Sequence, residues 1–257
     1  MICLETFSPH LRNEPRRRDA FIPGHLGFNV PRVDCSDIKV GIIDTGVPLH
    51  RDISNVHQCK NSVMVDGCGV FDEDGHSTAV SGLLCADMMM GMRGMCPEAT
   101  FMFSKCMNSR DSSHMGNLAA SLLWCLGSGC DVVVCSLFAR EREHLASAIV
   151  KKMVSKEVVI VAAVPDNSNY AFPADDEDVL SVAVGDVFIP TANPSKPTRL
   201  TLPNWSYDCF SRGDKFCDMQ GSSFANAAVA GCVVNMVANG VKRNARGIVR
   251  ELLENKI

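Results

Sequence analysis

Short runs of β-branched and other apolar residues alternate along the chain with longer segments whose apolar positions recur at helical spacing. Residues 39–44 (KVGIID), 100–105 (TFMFSK), 131–137 (DVVVCSL), 157–164 (EVVIVAAV) and 179–185 (VLSVAVG) read as buried strands. Between and after them, 76–87 (HSTAVSGLLCAD), 117–127 (NLAASLLWCLG) and 143–156 (EHLASAIVKKMVSK) read as helices, and two more, 223–238 and 244–255, finish the chain. A strand that is apolar throughout must be covered on both faces. The pattern therefore predicts an α/β fold of three layers, a mostly parallel central sheet flanked by helices. Residues 1–37 are polar, rich in Pro and Arg and without periodicity, and read as an extended arm; the Met-rich stretch 87–95 reads as a packed loop.

Composition narrows the class further. The 257 residues are 46% hydrophobic and 21% charged, enough for one large domain. A net charge of −4 supplies no global basic field, so neither nucleic acid nor an anionic membrane is expected as partner, and Arg16–Arg18, the only basic run, reads as a solvated segment. The most apolar stretch, 158–164, is too short to span a bilayer. The N-terminus lacks the apolar core of a signal peptide. Thirteen cysteines, an odd number and many in apolar surroundings, read as reduced core thiols, and the absence of any CxxC pair argues against structural zinc. These features point to a cytoplasmic protein.

In a parallel sheet, ligand chemistry gathers where strands end at their carboxyl edge. Asp44 closes the first apolar run and is followed by Thr45-Gly46, which is also the setting of a simple turn-capping carboxylate. His76 opens a helix behind Gly75, and Ser223 opens another within GSSFANAAVAG. Each alone fits a cap or a tight packing position. Together they supply a hydroxyl nucleophile, a base and an orienting carboxylate, all in glycine-flanked motifs and in the order Asp, His, Ser.

These segments resemble the subtilisin-like serine proteases over about residues 28–240. KVGIIDTGV resembles the family's strand-plus-Asp motif. GHSTAVSG resembles His-Gly-Thr-x-Val-x-Gly with Ser77 in place of the first Gly, and GSSFANAAVAG resembles Gly-Thr-Ser-x-Ala-x-Pro-x-Val-Ala-Gly with Ser222 for Thr and Ala227 for Pro. GMCPEATFMFSK, DVVVCSL and VVIVAAV fall between them in the family's order. The resemblance implies a subtilisin-like peptidase domain over 28–257 behind an arm of 1–27, with Ser223 as nucleophile, His76 as base and Asp44 as its orienting partner. The implied activity is serine endopeptidase hydrolysis of a protein or peptide substrate, with no cofactor.

Departures from the family pattern qualify that picture. The family's oxyanion Asn falls at Asp166, an acceptor that repels an oxyanion, with Asn167 adjacent. Loss of such a donor costs about 2.7–4 kcal/mol without abolishing triad chemistry. The family's substrate-binding strand end reads Ser136-Leu137-Phe138-Ala139 here; with Ala163 and Pro165 nearby, it implies a restricted pocket favouring a small P1 residue. Asp111, Ser112, Ser113 and His114 fall where the family's edge strand pairs with substrate. Asp72, Glu73 and Asp74 are candidates to attract a basic P2 side chain or to form a solvated acidic loop. Asp52 matches a calcium ligand of many subtilases, but the methionine-filled loop after Asp87 offers no hard oxygen side chains, and no metal is expected. Only 43 residues precede Asp44, room for a short arm lying over the cleft rather than a large prodomain. The departures also admit a second reading, a protease-fold protein that binds peptides without cleaving them efficiently.

Overall fold

The computed structural model describes residues 2–3, 11–15, 26–63, 69–108, 115–141, 144–165 and 171–255. In chain order, β1 (Ile2–Cys3) and β2 (Leu11–Arg12) precede β3 (Lys39–Asp44), β4 (Val56–Asn61), α1 (His76–Cys85), β5 (Thr100–Lys105) and α2 (Met115–Gly127). Then come β6 (Val132–Cys135), β7 (Phe138–Ala139), α3 (His144–Ser155), β8 (Val159–Ala163), β9 (Leu180–Gly185), β10 (Thr191–Asn193) and β11 (Lys196–Pro203). The hairpin β12 (Tyr207–Ser211) and β13 (Lys215–Met219) leads into α4 (Ser222–Ala238) and α5 (Ala245–Glu254).

Eight strands form the central sheet in the order β10-β11-β9-β8-β6-β3-β5-β4. All pair in parallel except the edge strand β10. Successive side chains alternate between faces as the pleat requires. Val132 and Val134 enter the cluster packed with α1, α4 and α5, whereas Val133 and Cys135 enter the one packed with α2 and α3. Val159 and Val161 divide from Ile160 and Ala162 in the same way. This two-sided burial is the physical reason these strands are apolar throughout.

The expected strands and helices are present with shifted ends. The helix placed at 117–127 starts at Met115, and the strand placed at 131–137 ends at Cys135, with Ser136 and Leu137 leading into the short β7 beyond it. The Met-rich loop is only half packed: Met92 and Met95 are buried, while Met88 and Met89 are exposed. Two segments of the arm lie against the domain. Arg12 of β2 pairs with the edge of β13 and bonds Asp208 at 2.5 Å and Asp218 at 3.2 Å. The two residues of β1 run antiparallel to β7, Ile2 opposite Ala139 and Cys3 opposite Phe138.

This topology fixes where chemistry can occur. From β3 the chain goes outward to β4 and back to β5, then crosses to β6 on the other side of β3. The carboxyl ends of β3, β6 and β8 therefore open on one edge at a reversal of strand order, the usual place for a ligand crevice in such sheets.

Candidate active site

Asp44 ends β3 at this edge, with only 1% of its surface exposed. The turn after it is tight, because Val47 bonds the Val70 carbonyl and Asp72 N–H bonds the Val47 carbonyl, each at 2.8 Å. Gly46 permits the approach: a Cβ there would sit 2.7 Å from backbone atoms of Phe71 and Val70. His76 begins α1 behind Gly75, whose φ of 101° is a left-handed conformation that glycine adopts without a Cβ penalty.

His76 Nδ1 lies 2.8 Å from Asp44 Oδ1. A carboxylate only accepts, so Nδ1 carries the proton and Nε2 is the basic nitrogen. Nε2 is buried and has no hydrogen-bond partner among the described residues. The ring packs against Phe224 with centroids 5.6 Å apart, which brings it beside the first turn of α4, the turn that also carries Ser223. Burial favours the neutral ring, but Asp44, Asp72 and Asp74 favour the cation, and the balance raises the pKa of His76.

Ser223 is 3% exposed and donates its hydroxyl to the Ser136 carbonyl at 3.1 Å. The Ser136 hydroxyl lies 3.4 Å from the Ser223 carbonyl in return. Asn226, one turn further along α4, brings its amide within 3.4 Å of the Cys135 and Val161 carbonyls and 3.3 Å of the Ser136 hydroxyl. The helix that carries Ser223 is thus joined to the ends of β6 and β8. The positive end of the α4 dipole favours an anion at this position.

The structure brings Asp44, His76, Ser223 and Ser136 into one region, with Leu137, Phe138 and Ala163 at the adjoining ends of β6, β7 and β8. Phe138 belongs to the apolar cluster on the α2 and α3 side. Ala139 exchanges two backbone hydrogen bonds with Phe172, at 2.8 and 2.9 Å, leaving the Phe138 side of β7 to β1. The proposed oxyanion residues Asp166 and Asn167 lie outside the described residues, as do Asp111, Ser112, Ser113 and His114.

One expectation requires correction. Asp72 is neither a solvated loop residue nor a P2 pocket: it is fully buried, and its carboxylate accepts four hydrogen bonds from Thr45, Gly75 and Thr78. Glu73 is exposed, with Oε2 3.9 Å from the amine of buried Lys105, which in turn bonds the Phe71 carbonyl at 2.7 Å. Asp52, for which no calcium is expected, is held by backbone donors. Its carboxylate accepts from Met89 N–H at 2.6 Å and Met90 N–H at 3.2 Å, and donors aimed at it repel a cation. Among the described residues, no group of three or more His, Cys, Asp or Glu could hold a metal ion.

Sequence reasoning also missed the ties made by Thr45 and Ser77. Thr45 Oγ1 accepts from Ser77 N–H at 3.0 Å, and the Ser77 hydroxyl bonds the Gly46 carbonyl at 2.6 Å. Ser77, the departure from the family's glycine, thus adds a contact between the Asp44 turn and α1.

Residues 36–257 match the model of the subtilase family, and the chain belongs to that family of serine peptidases. It is 26% identical over 208 residues to subtilisin DY of Bacillus licheniformis, covering 76% of this chain and 75% of that protein. It is 25% identical over 202 residues to subtilisin Savinase of Lederbergia lenta, covering 76% and 74%. The solved protease domain of PatA, a serine-to-alanine variant, superposes with a TM-score of 0.72 over 90% of this chain and 89% of that one, at 18% identity, and so shares the fold.

Proposed function

We propose that this chain is a serine endopeptidase of narrow specificity acting through Asp44, His76 and Ser223. The observation that carries this reading is the buried Asp44–His76 bond at 2.8 Å, with a bare Nε2 beside the helix turn that presents Ser223. Rotation of the Ser223 side chain off the Ser136 carbonyl gives its proton to His76 Nε2 as Oγ forms a bond to the scissile carbonyl carbon. The carbonyl π pair moves onto oxygen, near the amino end of α4. Collapse of that oxyanion breaks the C–N bond, and His76 returns the proton to the leaving amine. Water, deprotonated by the same nitrogen, then hydrolyses the acyl-enzyme. Asp44 holds the Nδ1–H tautomer and stabilises the imidazolium throughout.

An extended substrate also needs a strand edge. The antiparallel docking of β1 on β7 supports the Phe138 side of β7 as that edge. The ten buried free thiols among the described cysteines suit a reducing compartment.

One observation favours a second reading, a peptide-binding protein that cleaves poorly: the Ser223 hydroxyl is directed to Ser136 rather than to His76. A fluorophosphonate probe separates the two. Covalent labelling at Ser223, located by mass spectrometry and lost in Ser223→Ala, is the expected result. A folded protein that resists labelling yet binds peptides supports the second reading.

A further inference from the structure

The acyl-transfer scheme leaves unused a second carboxylate, Asp72, buried beside the site. Its Oδ1 accepts from Thr45 Oγ1 and Gly75 N–H, each at 2.8 Å. Its Oδ2 accepts from Thr78 N–H at 2.7 Å and Thr78 Oγ1 at 2.6 Å. Every one of these donors belongs to a segment that carries Asp44 or His76. Thr45 follows Asp44 directly, and Gly75 and Thr78 bracket His76 in the first turn of α1.

We propose that Asp72 is a positioning residue for the Asp44–His76 pair, clamping the turn after β3 to the start of α1 and claiming the Thr45 hydroxyl proton. The inference rests on the acyl-transfer reading above. Thr45 has one hydroxyl proton and two carboxylate oxygens within reach, Asp72 Oδ1 at 2.8 Å and Asp44 Oδ1 at 3.2 Å. With Asp72 taking it, Asp44 Oδ1 keeps its lone pairs for His76 and for the Thr45 N–H at 2.7 Å. Without Asp72 the hydroxyl turns to Asp44, competes with His76 for the same oxygen, and frees α1 from the turn.

Asp72 also acts through its charge. The charged groups facing His76 are Asp44 on β3 and Asp72 and Asp74 in the loop before α1, and all three favour the imidazolium. Burial raises the Asp72 carboxyl above its ordinary value while its four hydrogen bonds pull the other way, and the two backbone N–H groups among them, which can only donate, favour the carboxylate. Neutralising it lowers the His76 pKa. The base form of His76 then persists to lower pH.

The test is the pH dependence of Ser223 labelling by a fluorophosphonate, with kcat and KM for a peptide substrate, in wild type, Asp72→Asn, Thr45→Val and Thr45→Ser. Asp72→Asn and Thr45→Val are expected to lose about 100-fold in rate, the scale of a misplaced reacting group, with KM little changed. Thr45→Ser, which keeps the hydroxyl, is expected to restore most of it. The acid limb is expected to move to lower pH in Asp72→Asn and to stay in place in Thr45→Val, which retains the charge. A folded Asp72→Asn with wild-type rate and acid limb overturns the proposal. So does unfolding of Asp72→Asn and Thr45→Val while Thr45→Ser folds, because Asp72 is then a purely structural group. Failure of folded wild type to label strikes the acyl-transfer reading itself, and the role of Asp72 falls with it.

Discussion

Two buried histidines show how the same side chain is set to opposite tasks by its neighbours. His76 faces three carboxylates and is drawn toward the cation. His50 is stacked on Phe210 at 3.6 Å and meets Phe216 edge-on, and burial pushes its pKa down to about 4, with Asp214 raising it and Arg51 lowering it. The unfolded chain takes up a proton near the ordinary value of 6.5 that the folded His50 refuses. Protons bound in the unfolded state therefore exceed those in the folded state between about pH 6.5 and 4, and stability falls as pH drops through that window. Thermal melting across the range in wild type and His50→Phe checks this: the variant is expected to show a shallower slope, and an identical slope would discard the assignment. Asp44, His76 and Ser223 were legible in the sequence because each closes or opens an element inside a glycine-flanked motif. Asp72 was misread because one of its partners, Thr45, lies in a separate segment 27 residues away, and adjacent acidic residues look alike until burial distinguishes them.

At the scale of elements, the continuous apolar runs of β3, β5, β6, β8 and β9 announced themselves, because helices cover both faces of those strands. The edge strand β4 (VHQCKN) is largely exposed and polar and carries no such mark, and the two-residue pairings of β1, β2 and β7 depend on distant segments. The β12–β13 hairpin had a usable signal in Arg212-Gly213-Asp214, where both Gly213 and Asp214 take positive φ. The loop joining α1 to β5 illustrates a different substitution of means. At the position where many subtilases carry a calcium ligand, the Asp52 carboxylate binds the amides of Met89 and Met90, and its own carbonyl accepts from Asp87 N–H at 3.0 Å. A backbone amide stripped of its buried partner costs about 1–3 kcal/mol. Asp52→Ala is therefore expected to lower the melting temperature, and a calcium chelator to leave that of wild type unchanged. Destabilisation by the chelator would return a metal to this loop.

For the whole molecule, the consequential feature is that the chain's own β1 lies on the edge proposed for substrate. β7 has one side bonded to Phe172 and the other paired with β1, and β2 is held at a second point by Arg12 between Asp208 and Asp218. A peptide aligned along the Phe138 side must displace Ile2 and Cys3, and the intramolecular strand competes at an effective concentration that substrate in solution rarely matches. A fluorophosphonate reaches Ser223 without using that edge. Deletion of residues 1–10 is accordingly expected to lower KM for extended peptides while leaving kcat and the labelling rate of Ser223 near their starting values. A change in labelling rate would mean that the arm shapes the catalytic groups themselves. An unchanged KM would mean that substrate approaches by an edge other than β7, and the part assigned to Phe138 would have to be given up.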